Sequence, residues 1–117
     1  MSTTNLDRTA AIGSIACIVH CLALPALAVT MPFLAAAAEA EWVHWAFAVL
    51  AVFASGGVIA LAPSARTGSF VIPAGAGIAL VVGGLFVEHI GVDVAIPTVI
   101  GGCLLAFAHI RRLLKST

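Results

Sequence analysis

Apolar residues run along this chain in four stretches, and the charged residues fall almost wholly between them or at the ends. The stretches cover about residues 10–38, 42–61, 70–87 and 96–113, each near the roughly 20 residues that a helix needs to cross a bilayer. The first is longer and contains Pro25 and Pro32, so a kink or an early helix end is expected near Pro32. The second stops before Pro63, and Pro97 suits the first turn of the fourth. The intervening segments, Glu39-Ala40-Glu41, residues 62–69 and residues 88–95, are short. Short connections make consecutive spans antiparallel neighbours. The pattern predicts an all-α membrane protein: one domain over residues 1–117, built as a compact bundle of four antiparallel transmembrane helices.

Composition supports this class. Of the 117 residues, 62% are hydrophobic and 9% are charged, with a mean hydropathy of +1.20. A soluble domain carries about 25% charge, so this chain cannot cover a water-facing surface. Net charge is +0 and no basic cluster lies outside the C-terminal segment, which argues against nucleic acid as a partner. Three cysteines do not make a disulfide framework.

Charge sorting then gives the chain a direction. With four spans, Arg8, Arg66, Arg111, Arg112 and Lys115 fall on one side, and Glu39, Glu41, Glu88 and Asp93 on the other. Only Asp7 crosses the division. Basic residues mark the cytoplasmic side, so both termini are expected there. Trp42 and Trp45 fit an aromatic anchor at the outer start of the second span. Arg8 followed by an apolar stretch and Ala26-Leu27-Ala28 resembles a cleavable signal peptide. The apolar stretch continues past that site, and the charges sort best over four spans. A lipoprotein site at Cys17 is disfavoured because apolar residues follow it. Glycines in or at the ends of the spans, among them Gly77 and Gly101, favour close helix packing.

Candidate chemistry is concentrated in the first span. Cys17, His20 and Cys21 follow the i, i+3, i+4 spacing that puts side chains on one helical face. Thiols and imidazoles bind soft and borderline cations, and ionisable groups at membrane depth are costly and point to function. Counting from residue 10, Cys17 and Cys21 fall about 10 and 16 Å from the inner edge, between the cytoplasmic interface and the midplane. A closed structural zinc site needs four ligands. Two or three ligands from one helix suit an ion that is passed on, or a site completed by a second helix. His109, about 4–5 Å inside Arg112 by helical rise, shares a face with Gly102 and Ala106 and is a candidate to complete it. Cys103 points about 120° away from His109 and is assigned to packing or lipid contact. At the outer end, His44 with Glu41, and Glu88 with His89, are expected to be neighbours that gather cations. His44 and Glu88 are the stronger metal candidates of that group. A Walker loop, a dinucleotide fingerprint and a nucleophile elbow are all missing, so an enzyme is not expected.

Several of these residues form an ordered pattern: Cys17-Ile18-Val19-His20-Cys21-Leu22 with Pro25, His44-Trp45, Glu88, Thr98-x-x-Gly101 and Ala108-His109. In these motifs the chain resembles the MerC-domain family of small four-span membrane proteins along essentially its whole length. The resemblance implies heavy-metal handling in the bacterial inner membrane, typically inward movement of mercuric ion, with Cys17 and Cys21 as the thiol pair of the first span. The mercuric transporters of that family carry a second cysteine pair nearer the C-terminus, and no cysteine follows Cys103 here. Arg111 and Arg112 stand where the family has a polar Asn after the terminal His.

The leading reading is therefore transport or binding of a thiophilic, mercuric-like ion, with zinc or copper handling by the same site as its alternative. No tightly bound cofactor is expected. The implied partners are the lipid bilayer, the metal ion, and a second copy of the chain or a cytoplasmic metal-accepting thiol protein. Three other classes compete. Haem between His20 and His109 would use a histidine pair within a four-helix bundle. A Cys17/Cys21 redox couple would need a disulfide strained by i, i+4 spacing in a helix. A structural subunit would carry no ion.

Overall fold

The computed structural model describes residues 2–38 and 40–116. Among them, four helices are long and apolar enough to cross a membrane. They are α1 (Thr3–Ala28), α3 (Glu41–Leu61), α4 (Gly68–Val87) and α5 (Ala95–Ser116), with a short helix α2 (Phe33–Ala38) between the first two.

The first apolar stretch differs most from expectation. α1 starts at Thr3, seven residues before the apolar run does, because Ser2 caps it and accepts the Asn5 N–H at 3.2 Å. It ends at Ala28, one turn beyond Pro25, where the Thr30 and Met31 N–H groups both close on the Leu27 carbonyl. The chain then re-forms as α2, which lies against α1. The long stretch is thus one spanning helix and one short helix separated near Pro32, the early end that the prolines announce. The other three helices begin within a residue or two of the expected positions. A 3-10 turn at Pro63–Ala65 joins α3 to α4, and one at Glu88–Ile90 leads from α4 towards α5. Gly91 follows with φ +83°, a left-handed conformation suited to glycine.

α5 packs along both α1 and α4, and α1 also packs along α3, while α3 and α4 touch more sparingly. The buried core is built largely from small residues, among them Ala48, Ala51, Ala54, Ala74 and Ala108 around Val58, Val81 and Leu105. In lipid no hydrophobic force drives helices together, so close backbone approach and dispersion must do so. The tightest crossing is between α4 and α5 at Gly77 and Gly101. A Cβ on Gly101 would lie 2.6 Å from the Gly77 carbonyl oxygen, and one on Gly77 would lie 2.8 Å from that of Gly101. Large apolar side chains such as Ile12, Phe33, Trp42, Phe53, Ile72 and Leu114 face outward, as a bilayer allows.

Candidate functional site

Helical spacing brings Cys17, His20 and Cys21 onto one stripe of α1, and all three are buried. The facing residue is His44, in the first turn of α3. Its Nε2 lies 3.7 Å from the Cys21 Sγ. The His20 and His44 rings are 5.0 Å apart between centroids, tilted by 38°, and Phe47 meets the His20 ring edge-on at 6.1 Å. Cys17 and Cys21 lie one helical turn apart on that stripe. Two thiols and two imidazoles therefore gather at the α1–α3 contact.

Cys21 and His44 also border an open-sided cavity of about 670 Å3, whose other walls include Pro25, Ala28, Ala35 and Asp93. The space lies beside the end of α1 at Ala28 and is bordered by Ala35 of α2. Asp93 holds the approach to α5 by accepting the Ala95 N–H on Oδ1 at 2.9 Å, and it is exposed at the cavity wall. Glu41 is exposed and accepts the Trp45 indole N–H at 3.3 Å. His89 is exposed on the 3-10 turn after α4. The Glu88 side chain and Glu39 lie outside the described residues.

Two expectations about position change. The thiol pair does not sit in the half of α1 nearer its N-terminus. From Thr3, Cys21 is about 27 Å along the helix and only about 10 Å from the end at Ala28. That depth puts it level with the start of α3, which is why it meets His44. The second change concerns His109. Its Nδ1 lies 2.6 Å from Asp7 Oδ1 and its Nε2 lies 3.0 Å from Ser55 Oγ. Asp7 is about 15 Å along α1 from Cys17, so His109 stands apart from the thiols. His20 is separated from Asp7 by about 20 Å along the same helix, and it cannot share one haem with His109.

The surroundings of His109 form a second polar centre that the motifs do not disclose. Arg112 donates Nε–H to Asp7 Oδ2 at 3.0 Å and Nη1–H to Ser64 Oγ at 3.3 Å. Phe70 meets the His109 ring edge-on at 5.1 Å and lies beneath the Arg112 guanidinium, 5.5 Å from its Cζ. One network thus ties α1, α3, α4 and α5 together. The Asp-His-Ser order resembles a hydrolase triad, yet Ser55 is completely buried and no substrate carbonyl can reach its hydroxyl. The sequence did carry one signal for Asp7, the single acidic residue on the basic side of the charge sorting. Ser55 gave none.

Among the described residues, no three His, Cys, Asp or Glu side chains converge as a ready metal cage. Cys17 and Cys21 are both free thiols, and Cys103 is exposed on α5. The arrangement offers pairs of donors, thiol with thiol and thiol with imidazole. In comparison with protein families, the model of the MerC mercury resistance protein fits residues 7–114. Neither a curated protein nor a solved structure matches the chain.

Proposed function

This chain belongs to the MerC mercury resistance protein family, and from that premise we propose that a thiophilic cation passes through it by way of Cys17 and Cys21. Members of this family are membrane transporters rather than enzymes, and the chain is a multi-pass protein of the bacterial inner membrane that serves heavy-metal transport. The further detail is our reading. The ion collects in the cavity walled by Asp93, meets Cys21 and His44 at its inner wall, and moves to the Cys17–Cys21 pair. His20 supplies a second imidazole beside the route. Glu88 is assigned to the same outer end from its place in the sequence, and both termini are assigned to the cytoplasm from the charge sorting.

The observation that carries this reading is the 3.7 Å contact of Cys21 Sγ with His44 Nε2 at the cavity wall. It joins donors from two helices where a hydrated ion has room. Paired donors suit an ion that accepts two soft ligands, as mercuric and cuprous ions do, and that leaves readily for other thiols. Release is inward, downhill or drawn by thiols of the cytoplasm. His109 is assigned to the buried network with Asp7 rather than to the ion's path.

Zinc is the second reading. It is favoured by the composition of the cluster, two cysteines and two histidines around the His20–His44 contact. Uptake into proteoliposomes of mercuric, cuprous and zinc ions separates the two. The wild type is expected to accumulate mercuric ion, and Cys17→Ser/Cys21→Ser is expected to stop it. Equal uptake by both proteins for every ion would sink the proposal.

A further inference from the structure

At the end of the bundle that carries both chain termini, an open-sided cavity of about 330 Å3 lies between the start of α4 and the last turns of α5. Its polar walls are Ser64, Thr67 and Ser69 on one side and Arg111, Arg112 and Lys115 on the other. No acidic side chain is among them. Asp7 offsets one of the three charges, through Arg112 Nε at 3.0 Å. The bond from Nη1 to Ser64 and the stacking on Phe70 then hold that guanidinium in place at the cavity wall.

Arg111 and Lys115 form no ion pair among the described residues. They are i, i+4 on α5, a spacing at which like charges repel. Thr67 and Ser69 place their hydroxyls 3.0 Å apart across the first residue of α4, where the Phe70 and Val71 N–H groups close on the Thr67 carbonyl. A fixed cation, two further cations and three hydroxyls converge on one space, and together they suit a phosphate group. The outer surface of α5 says where such a phosphate comes from. Phe107, Arg111 and Leu114 lie on one stripe, and both apolar members are exposed, at 55% and 71%. The Arg111 guanidinium rests over the Phe107 ring at 5.9 Å. An acyl chain can follow this stripe while its headgroup turns into the cavity.

We propose that this cavity is a binding site for the headgroup phosphate of an anionic phospholipid. It is remote from the thiols and stands or falls separately from the transport reading. Basic pockets between spanning helices bind such headgroups elsewhere.

The test uses the purified full chain in a neutral detergent, with lipid retention followed by native mass spectrometry. Phosphatidylglycerol, phosphatidylcholine and inorganic phosphate are offered as probes. Phosphatidylglycerol is expected to be retained in preference to phosphatidylcholine. At about 1 kcal/mol per basic residue, Arg111→Gln/Lys115→Gln should weaken that retention about thirtyfold. Arg8→Gln, an exposed cation at the same end that does not line the cavity, should leave it unchanged. Circular dichroism confirms that each variant keeps its helix content. Equal retention of the two lipids overturns the proposal, as does an unaffected double variant or an equal loss in Arg8→Gln. Binding of inorganic phosphate without a lipid preference overturns the lipid as occupant.

Discussion

Asp7 and His109, 102 positions apart in the chain, meet at 2.6 Å between Oδ1 and Nδ1 in a site with almost no solvent access. The aspartate is held from both sides, because Arg112 takes its second oxygen. Burying these groups is costly, so their value lies in completeness: each polar atom has a partner, and removing one strands the others. Asp7→Ala should therefore lower stability by about 3–5 kcal/mol, and His109→Gln by less because an amide can still reach one neighbour. In a double-mutant cycle read by chemical unfolding in detergent micelles, the pair should show a coupling of about 0.5–3 kcal/mol. Additive effects would mean that the contact is not formed in the folded protein. Metal binding to the thiols, measured on the folded fraction, should survive both substitutions.

Cys21 and His44 make the opposite prediction. They touch across two helices without being needed to hold them together, since α1 and α3 also pack where Leu50 lies against Gly13 and Leu6 against Gly57. His44→Ala should leave the melting temperature nearly unchanged and weaken mercuric binding by at least the roughly tenfold to hundredfold typical of groups that support a metal ligand. Cys21→Ser should cost more, because it removes a thiol. Cys103→Ser, on the exposed side of α5, should cost nothing. Isothermal titration of the three variants with mercuric ion, buffered by a competing thiol, ranks them. A Cys103→Ser loss equal to that of Cys21→Ser would refute the assignment.

The two centres were unequally legible in the sequence. Cys17, His20 and Cys21 share a face by local spacing alone, and helix geometry holds wherever the helix sits. Four spans followed from apolar length, and the break near Pro32 from proline chemistry. Depth was not legible, because the apolar run does not mark where α1 begins. The largely polar stretch from Thr3 to Thr9 continues the helix under the Ser2 cap and the helix ends at Ala28, so the thiols lie level with His44 instead of His109. Pairing across helices was not legible either. His109 reads as a metal ligand until Asp7 and Ser55 are seen at its two nitrogens, and those partners lie on α1 and α3, far away in sequence. Asp7 stood out only as an exception to the charge pattern, and the exception marks the carboxylate that the fold buries.

The orientation assigned from charge sorting has a direct check. Thr30 is exposed in the turn after α1, and Thr67 is exposed before α4, at opposite ends of the spans. In a background with the native cysteines replaced by serine, Thr30→Cys should react with a membrane-impermeant maleimide added outside spheroplasts. Thr67→Cys should react only after the membrane is opened. The reverse labelling pattern would place both termini outside and invert the proposed direction of transport.

Gly101 offers a test of how the bundle is held. Its Cα hydrogen faces the Gly77 carbonyl so closely that an added methyl would lie 2.6 Å from that oxygen and 2.8 Å from the Val81 Cγ2. Backbone cannot swing aside as a long side chain can, so α4 and α5 must separate to admit it. Gly101→Ala should then cost about 1–3 kcal/mol, the range for overpacked sites. The loss should grow in Gly101→Val. Gly75 lies on α4 as well, but a Cβ there meets nothing within 4 Å. Gly75→Ala should be neutral or slightly stabilising, since alanine is the better helix former. Thermal melts of the two alanine variants in the same detergent decide it, because both remove one glycine from a spanning helix and only one meets the neighbouring backbone. Equal melting temperatures would show that the α4–α5 crossing is looser than the contact at Gly77 and Gly101 requires.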